Sequence, residues 1–108
     1  MTLAPRLLIP IVALFVASNA QAINGTEYRA LQEAQRQAWV VGAVDGVLTT
    51  QLWQTNKEPE ISKCLVGLHP TQIKAIFEKA LEANPERWHF PAAFQLLDTL
   101  QEFCSIRK

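Results

Sequence analysis

An apolar run of 11 residues, Leu7-Leu8-Ile9-Pro10-Ile11-Val12-Ala13-Leu14-Phe15-Val16-Ala17, follows the single charge of Arg6 and precedes Ser18-Asn19-Ala20-Gln21-Ala22. This opening sets how much chain is left to fold, and in what redox surroundings. A basic start, an apolar stretch shorter than the ~20 residues that span a bilayer, and a small-x-small end are the parts of a secretory signal. Cleavage is expected after Ala22, so 1–22 is read as a signal peptide and 23–108 as one exported domain. That leaves 86 of the 108 residues, a size at which a hydrophobic core alone gives little stability and staples help. No membrane contact is expected after cleavage.

The only cysteines are Cys64 and Cys104. An even count in a small exported domain reads as a disulfide. A bridge between them would close a loop of about 41 residues, for which the chain-entropy model gives at most ~4 kcal/mol. A metal site built from Cys64, His69, His89 and Cys104 has suitable ligand types, but its spacing matches no tight metal motif. Two free thiols are the remaining alternative.

Charge excludes some partners. Without Arg6 the domain holds nine Lys and Arg against ten Asp and Glu, which gives no reason to expect nucleic acid or an anionic lipid surface. Catalysis is equally hard to assemble. The chain has no Gly-rich phosphate loop, no G-x-S-x-G and no H-E-x-x-H, so we expect neither an enzyme nor a cofactor.

Helical periodicity dominates, and no β alternation competes with it. Leu31, Ala34, Ala38, Val41, Asp45, Leu48 and Leu52 recur at three- and four-residue spacings. They predict one long helix from an N-cap at Thr26 to about Asn56, with residues 40–47 central and buried. Gly42 and Gly46 predict a bend or a close helix crossing. Asp45, on the apolar stripe, predicts a buried structural acid paired with Arg36 or Arg87. Residues 54–68 read as an exposed polar connector. Pro70 or Thr71 opens a second helix with the stripe Ile73, Ile76, Phe77, Ala80 and Leu81, and Lys74, Glu78, Lys79 and Glu82 on its other side. Asn84-Pro85 stops it. Pro91 opens a third helix, whose buried face is Ala93, Leu96, Leu97, Leu100, Phe103 and Cys104. The expected fold is all-α, a small bundle of three to four helices with one disulfide. Gly42, Asp45, Pro70, Pro85 and Pro91 are its structural markers.

Two surfaces are candidates for contact with a partner. One is the link holding Arg87, Trp88, His89 and Phe90, since Trp and Arg are over-represented at interface hot spots. The other is the connector, where Glu58 and Glu60 stand among turn residues.

Two stretches carry a family pattern. The first is Trp39-Val40-Val41-Gly42-Ala43-Val44-Asp45-Gly46. The second, the more specific, runs from Cys64 through His69-Pro70-Thr71-Gln72-Ile73 and Ala80-Leu81-Glu82-Ala83-Asn84-Pro85-Glu86-Arg87-Trp88-His89-Phe90-Pro91-Ala92-Ala93 to Phe103-Cys104. Together they resemble the Rap/Tai type of periplasmic immunity proteins over roughly residues 30–104. The resemblance implies a small helical protein of the periplasm that binds and blocks a cell-wall amidase delivered by the type VI secretion system. Some members form homodimers. It also implies that Cys64 and Cys104 correspond to the family's cysteine pair. The chain departs from the pattern near Gln32 and Arg36, where many members carry two further cysteines, so it resembles a divergent member. The alternatives are a periplasmic chaperone of the acid-stress kind and an accessory domain of an envelope complex.

Overall fold

A computed structural model of the protein describes residues 22–106. The signal-peptide reading therefore lies outside the described residues, save for Ala22. The described chain is all-α. Helices α1 (Gly25–Ala30), α2 (Glu33–Thr55), α3 (Glu60–Leu65), α4 (Pro70–Ala83) and α5 (Ala92–Ile106) follow in order, with one 3₁₀ turn at Pro85–Arg87. No helix among the described residues is long and apolar enough to cross a membrane.

The start of the bundle differs from the expected single helix. Asn24, not Thr26, is the N-cap of α1: its side chain accepts from the Glu27 N–H at 2.8 Å, and the Glu27 carboxylate accepts from the Asn24 N–H at 3.0 Å. Each bond satisfies a donor that a helix start otherwise leaves free. The helix stops after one and a half turns because Leu31 and Gln32 are both extended. Gln35 then accepts from the Gln32 N–H and opens α2.

α2 spans 23 residues, or ~34 Å at 1.5 Å per residue. It runs unbroken through Gly42 and Gly46. A Cβ added at either would meet nothing within 4 Å, so these glycines mark neither a bend nor a crossing. Of residues 40–47 only Val40 is buried; Ala43, Val44 and Val47 are half-buried and the rest exposed. The periodicity was right for a helix but set its buried face too broadly. Asp45 is exposed, and its expected partners are engaged elsewhere, Arg36 with Glu78 and Arg87 with Asp98. α2 ends at Asn56, which takes the left-handed conformation (φ 56°) that Asn tolerates better than most residues.

The connector contains a helix, α3, which begins just after Pro59 and buries Ser62 and Leu65. Pro70 occupies the first turn of α4, whose cap is His69 rather than Thr71, and the Gln72 side chain accepts from the His69 N–H at 2.7 Å. Ile73, Phe77 and Leu81 form the buried stripe, as expected. α4 ends at Ala83, where Asn84 returns its side-chain N–H to the Ala80 carbonyl. On α5 the buried face is Ala92, Gln95, Leu96, Leu100 and Cys104, while Ala93, Leu97 and Phe103 are half-buried. Pro91 stands just before the helix, bridged to Asn24.

The core lies between α4 and α5, with α2 packed across both and α3 against α5. Tyr28, Trp39 and Phe77 form an aromatic cluster, with centroids 5.0 to 6.0 Å apart. Tyr28 and Phe77 have no exposed surface.

Candidate partner-binding surface

The disulfide organises the first surface. Cys64 in α3 and Cys104 in α5 are bonded, with Cα atoms 5.8 Å apart. Both thiols are consumed, so the metal and free-thiol alternatives fall away. The bridge lines a groove of about 780 Å³ whose walls include Gln51 of α2, Pro59, Glu60, Ile61 and Lys63, and Gln101 and Ser105 of α5. Glu60 lines this groove directly. Glu58 is exposed beside it, and its Oε1 lies 2.9 Å from the Ser62 hydroxyl, which also reaches the Pro59 carbonyl at 2.6 Å. Glu58 thus sits on a turn stiffened by short-range bonds, and Glu60 in the first turn of α3, which reaches the core through Leu65 and α5 through Cys64. Large apolar side chains are exposed on the stretches of chain that flank the groove-lining residues: Trp53, two positions after Gln51, is 88% exposed and Val66, two positions after Cys64, is 82% exposed.

The second surface, the link after α4, is largely taken up within the chain. The Trp88 indole N–H donates to the Leu81 carbonyl at 2.7 Å, and the Arg29 guanidinium covers its ring at 3.6 Å. The Trp88 carbonyl accepts from Thr26, and the Phe90 carbonyl from Gly25. A Cβ on Gly25 would lie 3.1 Å from the Trp88 backbone, so a larger residue there would have to push this contact apart by a few tenths of an ångström. Arg87 pairs with Asp98 at 3.5 Å and lies over the Phe90 ring. His89 is exposed against Phe90, and Phe94 is 61% exposed. Pro85 opens the 3₁₀ turn that sets this geometry. Trp88 and Gly25 therefore clip the N-terminal segment to the bundle.

The structure does not bring the two surfaces together. Cys104 stands 12 positions beyond Ala92 on α5, which separates the two ends of that helix by ~18 Å.

A third constellation was missed by sequence reasoning. The Glu78 carboxylate accepts from the Tyr28 hydroxyl at 2.7 Å and from Arg36 Nε at 3.0 Å, with Lys74 Nζ at 3.3 Å. Glu78 and Lys74 were expected on the solvent side of α4; both are half-buried toward α1 and α2. Burial works to raise the Glu78 pKa, but the Tyr28 hydroxyl, Lys74 and Arg36 outweigh it and hold the carboxyl below its ordinary value. Burial, with the Glu78 carboxylate beside it, pushes the Tyr28 hydroxyl well above the usual phenol range. Among the described residues, no group of three or more His, Cys, Asp or Glu is placed to hold a metal.

Comparison of the chain with protein-family models, with curated proteins and with solved structures returned no match.

Proposed function

We propose that this protein is a periplasmic inhibitor that binds and blocks a peptidoglycan amidase effector, acting as an immunity protein. The observation that carries this reading is the stapled connector. Glu58 stands on a short, locally bonded turn and Glu60 in the first turn of α3, beside a groove lined by Cys64–Cys104. A proteinaceous inhibitor needs a presented loop whose ordering has been settled by folding, since loss of freedom on binding weakens a complex. Two exposed carboxylates suit the mouth of a Cys-His amidase, where the catalytic histidine is cationic at some point in the cycle. The exposed Trp53 and Val66 supply the apolar area that such a contact needs. With both cysteines in the disulfide, no thiol is left to act as a nucleophile. The residue pattern shared with the Rap/Tai type favours this target class.

The test is binding of the purified protein to cell-wall amidases encoded beside its gene, by calorimetry and by hydrolysis of peptidoglycan. A nanomolar complex with hydrolysis abolished is the expected result. No complex at micromolar concentration with any of them would sink the reading.

A second reading, an acid-activated chaperone, draws on the Glu78 cluster. Protonation of that carboxylate would weaken the ties among α1, α2 and α4 and loosen apolar surface. It predicts suppression of client aggregation in acid and none at neutral pH.

A further inference from the structure

α3 is held differently from the other helices. It has only six residues, far below the length at which a helix is stable alone. Two buried side chains, Ser62 and Leu65, face the bundle, and Ile61 packs beside them. The Ser62 hydroxyl contacts lie within the segment, to Glu58 and Pro59. The covalent tie to α5 is Cys64–Cys104.

What lies under α3 is apolar. Ile61 lines the outer groove and also a small apolar crevice bounded by Val44, Leu48, Leu65, Leu96 and Leu100. The side chains of α3 are thus the partition between a solvent-facing groove and the apolar seam of α2 and α5. Both cysteines border the groove, and Cys64 is the less buried of the two. A thiolate entering the groove therefore meets the bond from its open side.

From this arrangement we infer that Cys64–Cys104 is a redox latch: reduction releases α3 and opens the apolar seam beneath it, while the α1–α2–α4 half stays folded. The step is a thiol–disulfide exchange with a dithiol reductant of the thioredoxin class. Its thiolate attacks the Cys64 sulfur, forming a mixed disulfide, and Cys104 leaves as a thiolate that takes a proton. The second thiol of the reductant then resolves the mixed disulfide. Cys64 and Cys104 end as thiols and the reductant as a disulfide, with two electrons and two protons transferred. The released half is chosen by the packing. The aromatic cluster of Tyr28, Trp39 and Phe77 and the Glu78 ion pairs involve no residue of α3. Local opening of this kind is expected where one segment has few buried contacts of its own.

The inference stands apart from amidase inhibition, because its readout needs no partner. Hydrogen–deuterium exchange is compared for the oxidised protein, the same protein held reduced by dithiothreitol, and the variant with Cys64→Ser and Cys104→Ser. In both latch-free forms the amides of 61–66 should exchange at least roughly tenfold faster, while those of 73–83 stay within about twofold of the oxidised rates. Trypsin should then cut after Lys63 faster than it does in the oxidised protein. Unchanged exchange over 61–66 would show that α3 needs no latch. Equal acceleration over 73–83 would show that the bond holds the whole bundle. Either result overturns the inference.

Discussion

The Tyr28 hydroxyl donates to Glu78 at 2.7 Å, across 50 positions of sequence. The same carboxylate accepts from Arg36 of α2 and from Lys74 of its own helix. One carboxylate therefore ties α1 and α2 to α4. Tyr28→Phe keeps the ring in the aromatic cluster and removes only the hydroxyl. It should lower stability by about 1–2 kcal/mol, read by urea unfolding at neutral pH. A change indistinguishable from zero would mean that the ring packing alone docks α1.

The pH dependence follows from the sign of the Glu78 shift. Its pKa in the folded protein lies below the ordinary value of 4.5. The unfolded state therefore binds its proton first as pH falls. The stabilisation is complete above about pH 4.5 and is lost as pH drops through the lower, folded value. Glu78→Gln should lower stability near neutrality and flatten this acid limb, because Gln cannot take up a proton there. Unfolding midpoints from neutrality to pH 3 check both features. An acid limb as steep in the variant as in the wild type would assign it to other carboxylates.

Helix α4 was legible in the sequence because each of its signals is local. Pro70 starts it, Ile73, Phe77 and Leu81 repeat at helical spacing, and Asn84-Pro85 ends it. The disulfide was legible because only two cysteines exist. The break at Leu31 and Gln32 was not, since neither Gly nor Pro marks it; it is set by Asn24–Glu27 capping and by Tyr28 docking onto residues far along the chain. Asp45 misled because it shares a spacing with apolar residues, and the other exposed positions near it, Ala38, Val41, Gly42 and Gly46, are uncharged. The Glu78 cluster joins positions 28 and 36 to the i,i+4 pair Lys74 and Glu78, and only that pair is a local pattern. The link after α4 stood out by composition, yet Trp88 serves the fold: it bonds Leu81, lies under Arg29 and receives the backbone of Thr26.

That placement separates two sets of variants. Trp88→Ala should lower stability by about 2–4 kcal/mol, through lost packing and a carbonyl left without its donor. Circular dichroism on heating would register it. A variant as stable as wild type would return Trp88 to the list of contact residues.

If the connector is the contact, charge reversal there should weaken binding by more than the local cost of losing the Glu58–Ser62 bond accounts for. The paired change Glu58→Lys and Glu60→Lys should weaken an amidase complex at least about tenfold, mostly through slower association. Arg87→Ala with His89→Ala, in the link before α5, should stay within about threefold. Surface plasmon resonance at two salt concentrations resolves both effects. The reverse ranking would move the interface to the link after α4.

The glycines of α2 give the sharpest test of the fold itself. A bend or a tight crossing at Gly42 and Gly46 would make any added side chain harmful. The structure has both exposed, in regular helix, with nothing within 4 Å of a built Cβ. Ala loses less backbone freedom than Gly on entering a helix, a difference of ~1 kcal/mol per site. Gly42→Ala and Gly46→Ala should therefore each raise stability by about 0.5–1 kcal/mol. The two sites lie one turn apart, yet a methyl at either touches nothing, so the gains should add to within about 0.5 kcal/mol. Chemical unfolding of the two single variants and the double variant measures this directly. A loss of stability at either position would mean that another surface lies against that face of α2 in solution.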